Sequence, residues 1–179
     1  LCSFCLSALD KTVRYFDDAT IQNQIAKLFS AGIKKIKFVD RTFNLKPSRM
    51  KDLMQWLIQF KGNEFHFEVV GDILTPEILN FLETVPAGMF QFEIGIQTTT
   101  ESVQETIQRK QSNQKLFATI QRLVEQDRIH FHCDLIFGLP GETLQHIQMS
   151  LCKVMALKPH ELQLGFLKFL PGAPINNLV

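Results

Sequence analysis

Cys2 and Cys5 stand three apart in the stretch CSFC, with Phe4 immediately before the second thiol. Thiolates at this spacing hold half of a zinc site, form a redox dithiol, or sit in the loop that ties an iron–sulfur cluster. A zinc site needs two further ligands, and Cys133 and Cys152 do not form a second CxxC. Cys133 falls on the apolar face of a strand pattern and Cys152 inside a helix pattern, so both read as core. A thioredoxin-like dithiol opens a helix just after a strand, whereas CSFC runs into LSALDKTVRYF, a loop-like stretch. A second group of polar residues recurs at alternate strand positions: His66 and Glu68, Glu93 and Gln97, and His130, His132 and Asp134. Neither histidine of the last set has a sequence neighbour that would define it as a catalytic base, and both read as polar fillers.

These residues must be positioned by elements of alternating period. Helical periodicity predicts helices over 18–31, 47–60, 75–84, 101–108, 114–126 and 142–157, with Asp18 opening the first and Thr75-Pro76 capping the third. Strand periodicity predicts strands over 34–40, 65–70, 90–97, 129–137 and 161–169. Repeated β-then-α order implies parallel strands joined by helical crossovers. Strands of a sheet covered on both faces are nearly continuous apolar runs. Here Phe65, Phe67 and Val69 alternate with His66 and Glu68, and Phe90, Phe92, Ile94 and Ile96 alternate with Gln91, Glu93, Gly95 and Gln97. The pattern predicts a sheet that curls, with its helices outside and a polar face lining an incomplete barrel. A flat sheet with one wet face is the alternative.

Composition bounds the rest. The 179 residues, 45% hydrophobic and 21% charged, suffice for one domain spanning 1–179. Nineteen basic against 18 acidic residues leave a formal charge of +1, so no strong field draws the chain to nucleic acid or an anionic membrane. No apolar run approaches the roughly 20 residues of a membrane span. Four irregularly spaced cysteines fit reduced thiols or metal ligands and a cytoplasmic location better than a disulfide framework.

Four motifs then occur in order with helices between them: CSFC, the strand end FVDRTFN, EIGIQ, and DLIFGLPGE. Together they resemble the core of the radical S-adenosylmethionine (SAM) superfamily, whose CxxxCxxC loop carries an aromatic residue before its third cysteine. Cys2 and Cys5 match the second and third cysteines. The first cysteine and first barrel strand would precede Leu1, so the chain reads as truncated at its N-terminus and the fragment as inactive alone. The resemblance implies a partial (β/α)6 barrel, a 4Fe-4S cluster held through Cys2 and Cys5, and bound SAM cleaved reductively to a 5'-deoxyadenosyl radical that abstracts a substrate hydrogen. It implies an electron donor such as flavodoxin or ferredoxin, and a substrate, small or macromolecular, that the sequence does not name. The similarity is strongest to Fe-S oxidoreductases with an upstream cobalamin-binding domain, which adds cobalamin as a cofactor supplied from outside this chain, and weaker to oxygen-independent coproporphyrinogen oxidases.

Carried over residue by residue, Phe4 packs near the adenine and Asp40, in the VDRT strand end, sits near the SAM amino group, although VDRT departs from the glycine-rich form usual there. Glu68, Gln97 and Asp134 contact the ribose and methionine portions, Arg109 pairs with the SAM carboxylate, and Gly138 admits the adenine. Glu93 is a further carboxylate on the same face. From the residues alone, Glu68 and Glu93 are also solvated carboxylates on an open sheet and Arg109 a surface cation. A zinc or dithiol-redox protein using Cys2 and Cys5, or a scaffold that binds nothing, remains the alternative.

Overall fold

A computed structural model describes residues 2–9 and 12–177. Five strands, β1 (Lys35–Lys37), β2 (Glu64–Val69), β3 (Phe90–Gln97), β4 (His130–Phe137) and β5 (Glu161–Phe166), pair in sequence order, every pair parallel. Among the described residues six α-helices accompany them: α1 (Asp18–Ser30), α2 (Pro47–Leu57), α3 (Pro76–Leu82), α4 (Glu101–Thr106), α5 (Asn113–Gln126) and α6 (Leu144–Ala156). The result is an α/β fold with a five-stranded parallel half-barrel, as the alternating periods predict.

One face of the sheet makes the core. Phe65, Phe67, Phe90, Phe92 and Phe131 are fully buried there, in one cluster with Ile25 of α1, Met50 and Met54 of α2, Ile78 of α3, Ile120 of α5 and Val154 of α6. Phe67 lies between Phe38, Phe43, Phe90 and Phe92, with ring centroids 4.2 to 6.3 Å away. The opposite face carries the polar residue of each alternating pair, so the helices lie outside and the polar positions line the lumen.

Boundaries differ from the sequence reading where side chains override periodicity. The cap of α1 is Asp17, not Asp18; its carboxylate accepts from the Thr20 amide at 3.0 Å. Thr75 caps α3 as predicted, accepting from Ile78 N. The strand predicted over 34–40 shrinks to Lys35–Lys37, after which one bond, Phe38 N to the His66 carbonyl, continues the ladder. Asn44 explains the departure: fully buried, it brackets Val70, donating to its carbonyl at 2.8 Å and accepting from its amide at 3.0 Å, and so ties the FVDRTFN segment across the end of β2. Cys152 is exposed rather than core, because Ile147, Ser150, Leu151 and Val154 form the inner stripe of α6. Cys133 is buried as predicted.

Candidate functional site at the carboxyl end of the strands

The site assembles where β3 ends. Gln97 has φ +68°, in the left-handed region, and the β3–β4 register slips between Gly95 and Gln97. This bulge turns the Gln97 side chain back over Gly95; a Cβ at Gly95 would lie 2.5 Å from Gln97 Nε2. Gln97 Oε1 is buried without a hydrogen-bond partner. Arg109 arrives from the turn after α4: its Nη2 donates to the Gly95 carbonyl, its Nε to Gln111 Oε1 at 2.8 Å, and its Nη1 to Cys2 Sγ at 3.1 Å. The turn is held from behind, with Gln104 donating to the Thr98 carbonyl, Asn113 to Thr99 O and Gln111 to Ile96 O. One guanidinium therefore joins the cysteine loop to the end of the central strand.

The cysteine loop is anchored. Cys2 is buried, Cys5 N bonds the Cys2 carbonyl, and the intervening Ser3 bonds Ile107 O through its amide and Ile175 N through its carbonyl. Phe4 packs with Val103, Ile107 and Leu139, beside the turn that holds Gly138. Gly138 has φ +79°, yet an added Cβ there would meet no atom within 4 Å. The backbone conformation demands glycine, and the space before it is open. Glu142 closes that turn, accepting from Gly138 N at 2.9 Å and Leu139 N at 3.3 Å.

Deeper in the lumen, Glu68, Glu93 and Asp134 lie in one charged cluster that includes Lys37, His66 and His132. Glu93 is its centre, with Lys37 Nζ 2.9 Å, His66 Nε2 3.2 Å and His132 Nε2 3.6 Å from its Oε2. Lys37 also lies 3.9 Å from Glu68 Oε1, and His132 3.6 Å from Asp134 Oδ1. His132 and then Lys37 hold the Glu93 carboxyl down at about 2. Burial, reinforced by Glu93 and Glu68, pushes Asp134 up to about 6 against the pull of His132, and its Oδ1 is buried without a hydrogen-bond partner. Burial likewise raises Glu68. Glu93 raises His132, while burial lowers His66. Asp40 is exposed after β1 and reaches Glu68 only through its charge.

The fold thus brings Cys2, Gln97 and Arg109 together at the strand ends. It sets Glu68 and Asp134 in the lumen below, Phe4 and Gly138 at the neighbouring turn, and Glu93 in the middle of β3. Sequence reasoning missed Lys37 as a member of the lumen cluster and put His66 on the lumen face without assigning it a role. It also read His132 as a filler, although Glu93 and Asp134 both face it. Only register reveals this, since Glu93 pairs with Glu68 on one side and His132 on the other.

The sequence profile of the radical SAM superfamily matches residues 1–151. The chain belongs to that superfamily. Among curated relatives it is 28% identical to the heme chaperone HemW of Bacillus subtilis, over 88% of this chain and 42% of that protein. It is 25% identical to the cobalamin-dependent radical SAM methyltransferase TokK of Streptomyces tokunonensis, over 98% of this chain and 27% of that one. The chain thus spans less than half the length of these relatives. Among solved structures it superposes on the radical SAM methyltransferase TsrM of Kitasatospora setae, which has cobalamin and a [4Fe-4S] cluster bound, with a TM-score of 0.82 and 17% identity over 97% of this chain and 33% of that one. Coproporphyrinogen III oxidase HemN of Escherichia coli, a radical SAM enzyme, gives 0.70 and 21% over 96% and 42%. Radical SAM enzymes bind a 4Fe-4S cluster and SAM, and the donors here suit both: paired thiols in an anchored loop, an arginine beside them, buried oxygens at Gln97 and Asp134 without hydrogen-bond partners, and open space before Gly138. No described helix is long and apolar enough to cross a membrane.

Proposed function

We propose that this chain is the SAM-binding core of a radical enzyme that abstracts hydrogen from its substrate. The observation that carries the reading is Arg109, whose guanidinium touches Cys2 Sγ and the Gly95 carbonyl beside the orphaned amide oxygen of Gln97. It sets a fixed cation next to a thiol pair that can ligate iron, and SAM presents a carboxylate, an ammonium and ribose hydroxyls that need partners at such a place. When bound, the cluster supplies the electron for reductive cleavage of SAM to a 5'-deoxyadenosyl radical.

In this reading Cys2 and Cys5 are two of the cluster ligands. Arg109 pairs with the SAM carboxylate, and Gln97, Glu68 and Asp134 accept from its ammonium and hydroxyls. Phe4 and the open face of Gly138 border the adenine, and Asp40 lies at the amino-group side. Glu93, engaged by Lys37, His66 and His132, stands apart from this set. Four free thiols and an oxygen-sensitive cluster suit the cytoplasm, with a one-electron donor such as flavodoxin or ferredoxin.

Anaerobic reconstitution of the full-length protein with iron and sulfide tests the reading. A broad visible thiolate-to-iron absorption that disappears in Cys2→Ser and Cys5→Ser is expected, together with 5'-deoxyadenosine on reduction in the presence of SAM. Stoichiometric zinc in place of the cluster would overturn it and favour the zinc alternative.

A further inference from the structure

The middle of the lumen holds a donor set that the SAM reading leaves unused. His66 on β2, Glu93 on β3 and His132 on β4 project from three adjacent strands to one point, their ligand atoms all within 4.8 Å of one another. We propose that His66, Glu93 and His132 form a binding site for a divalent transition-metal ion such as zinc, cobalt(II) or iron(II), separate from the cysteine loop.

Both separations from the carboxylate are those of a ligand shell. Two donors each about 2.1 Å from a metal lie about 3.4 Å apart at the tetrahedral angle. The separations from Glu93 Oε2 are 3.2 Å to His66 Nε2 and 3.6 Å to His132 Nε2, on either side of that value. The imidazole ring centroids are 5.6 Å apart and the ligand atoms of the triad lie within 4.8 Å of one another, so an ion would draw the two rings together on Glu93. Two imidazoles and one carboxylate select borderline transition metals over magnesium or calcium, which take all-oxygen shells. Side-chain exposures of 12%, 22% and 17% for His66, Glu93 and His132 shelter the ion while leaving access from the lumen. Three protein donors leave a coordination position for water or substrate.

Lys37 already supplies a cation to this place, its ammonium 2.9 Å from the same Glu93 oxygen. Its side chain is 47% exposed, so it can swing into solvent when a metal takes the oxygen. The ammonium is a competitor, and that competition gives the site a signature that a chance juxtaposition lacks.

The test is titration of the protein carrying Cys2→Ser and Cys5→Ser with cobalt(II), followed by visible d–d absorption and calorimetry, so that neither cluster nor SAM enters. The expected result is one cobalt per chain, displaced by one equivalent of zinc. His132→Ala and the near-isosteric Glu93→Gln should each weaken binding by about 100-fold or more, beyond the 10- to 100-fold typical of residues behind the ligands. Lys37→Met, which leaves all three donors in place, should tighten it about tenfold, the low end for removing a charge-assisted hydrogen bond. Absence of saturable cobalt binding overturns the proposal, as does binding that the ligand substitutions leave unchanged. If His132→Ala or Glu93→Gln fails to fold, Lys37→Met decides: tighter binding supports the site and unchanged or weaker binding refutes it. Loss of this site would leave the SAM reading intact, because the reconstituted cluster's spectrum is the readout of that reading alone.

Discussion

Replacing Gly95 by alanine separates the fold from the proposed cofactor site. Gly95 lies on the lumen face of β3, and its backbone is outside the left-handed region, so alanine meets no backbone strain there. Its methyl would sit 2.5 Å from Gln97 Nε2 and 3.9 Å from Arg109 Nη2. The first contact is impossible, but it is with the end of a flexible side chain, which must move. The smaller unfolded-state entropy of alanine adds about 0.4 to 1 kcal/mol of stability. Forcing Gln97 from its rotamer costs about 0.5 to 1.5 kcal/mol. The two nearly cancel, so thermal unfolding should shift little. Displacing the Gln97 amide leaves a buried SAM group unpaired, which costs about 1 to 3 kcal/mol and weakens SAM by about 5- to 150-fold. The assay is SAM calorimetry on the reconstituted full-length protein beside a thermal melt. The methyl acts through Gln97, so Gly95→Ala should add almost nothing to Gln97→Ala in a double-mutant cycle. Wild-type SAM affinity in Gly95→Ala, or a large loss of stability, would refute the reasoning.

Three further outcomes follow from the packing. Phe67→Ala, at a fully buried ring among four others, should lower unfolding free energy by about 3 to 5 kcal/mol in urea titration, whereas Phe166→Ala, 79% exposed, should be nearly neutral. The Cys133 thiol, pushed up to about 12 by burial and by Asp134, should resist alkylation at about pH 8 until the chain unfolds, while exposed Cys152 reacts at once, as mass spectrometry of labelled peptides would show. Burial raises Glu142, so the folded state holds its proton more tightly than the unfolded state, and that contribution is present at low pH and lost as pH rises above the ordinary carboxylate range. Glu142→Gln should therefore melt higher than wild type near pH 7 and lose that advantage near pH 4, with the carbonyl of the substituted amide still able to accept from the Gly138 and Leu139 backbone N–H groups.

The fold was legible because its two periods are clean. Alternation of phenylalanines with polar residues in FHFEVV and FQFEIGIQ requires one face to be buried and the other wet, and β2 and β3 sit with Phe65, Phe67, Phe90 and Phe92 fully buried and His66, Glu68, Gln91 and Glu93 half-buried opposite them. Where periodicity misled, a single side chain had decided matters. Asn44 ends the edge strand early by taking the backbone groups of Val70, a long-range contact with no local signature. Asp17 outcompetes Asp18 as a cap because only the residue before the first turn can reach Thr20 N.

The site was legible in its residue types and not in its levels. Reading alternate positions put Glu68, Glu93, Gln97 and Asp134 on one face, but parity does not fix height along the barrel. Register fixes it: Glu93 stands level with Glu68 and His132, while Asp134 stands level with Gly95, beyond which the bulge carries Gln97 to the strand end. The face therefore divides into an upper tier near Cys2 and Arg109, where partners are missing, and a middle tier around Glu93, where Lys37, His66 and His132 crowd one oxygen. Unpartnered polar atoms and over-partnered ones make opposite demands. The upper tier lacks partners that a ligand rich in hydroxyls, ammonium and carboxylate would supply. The middle tier has two imidazoles and an ammonium gathered on one carboxylate, an arrangement that a single divalent ion would satisfy once the lysine withdraws.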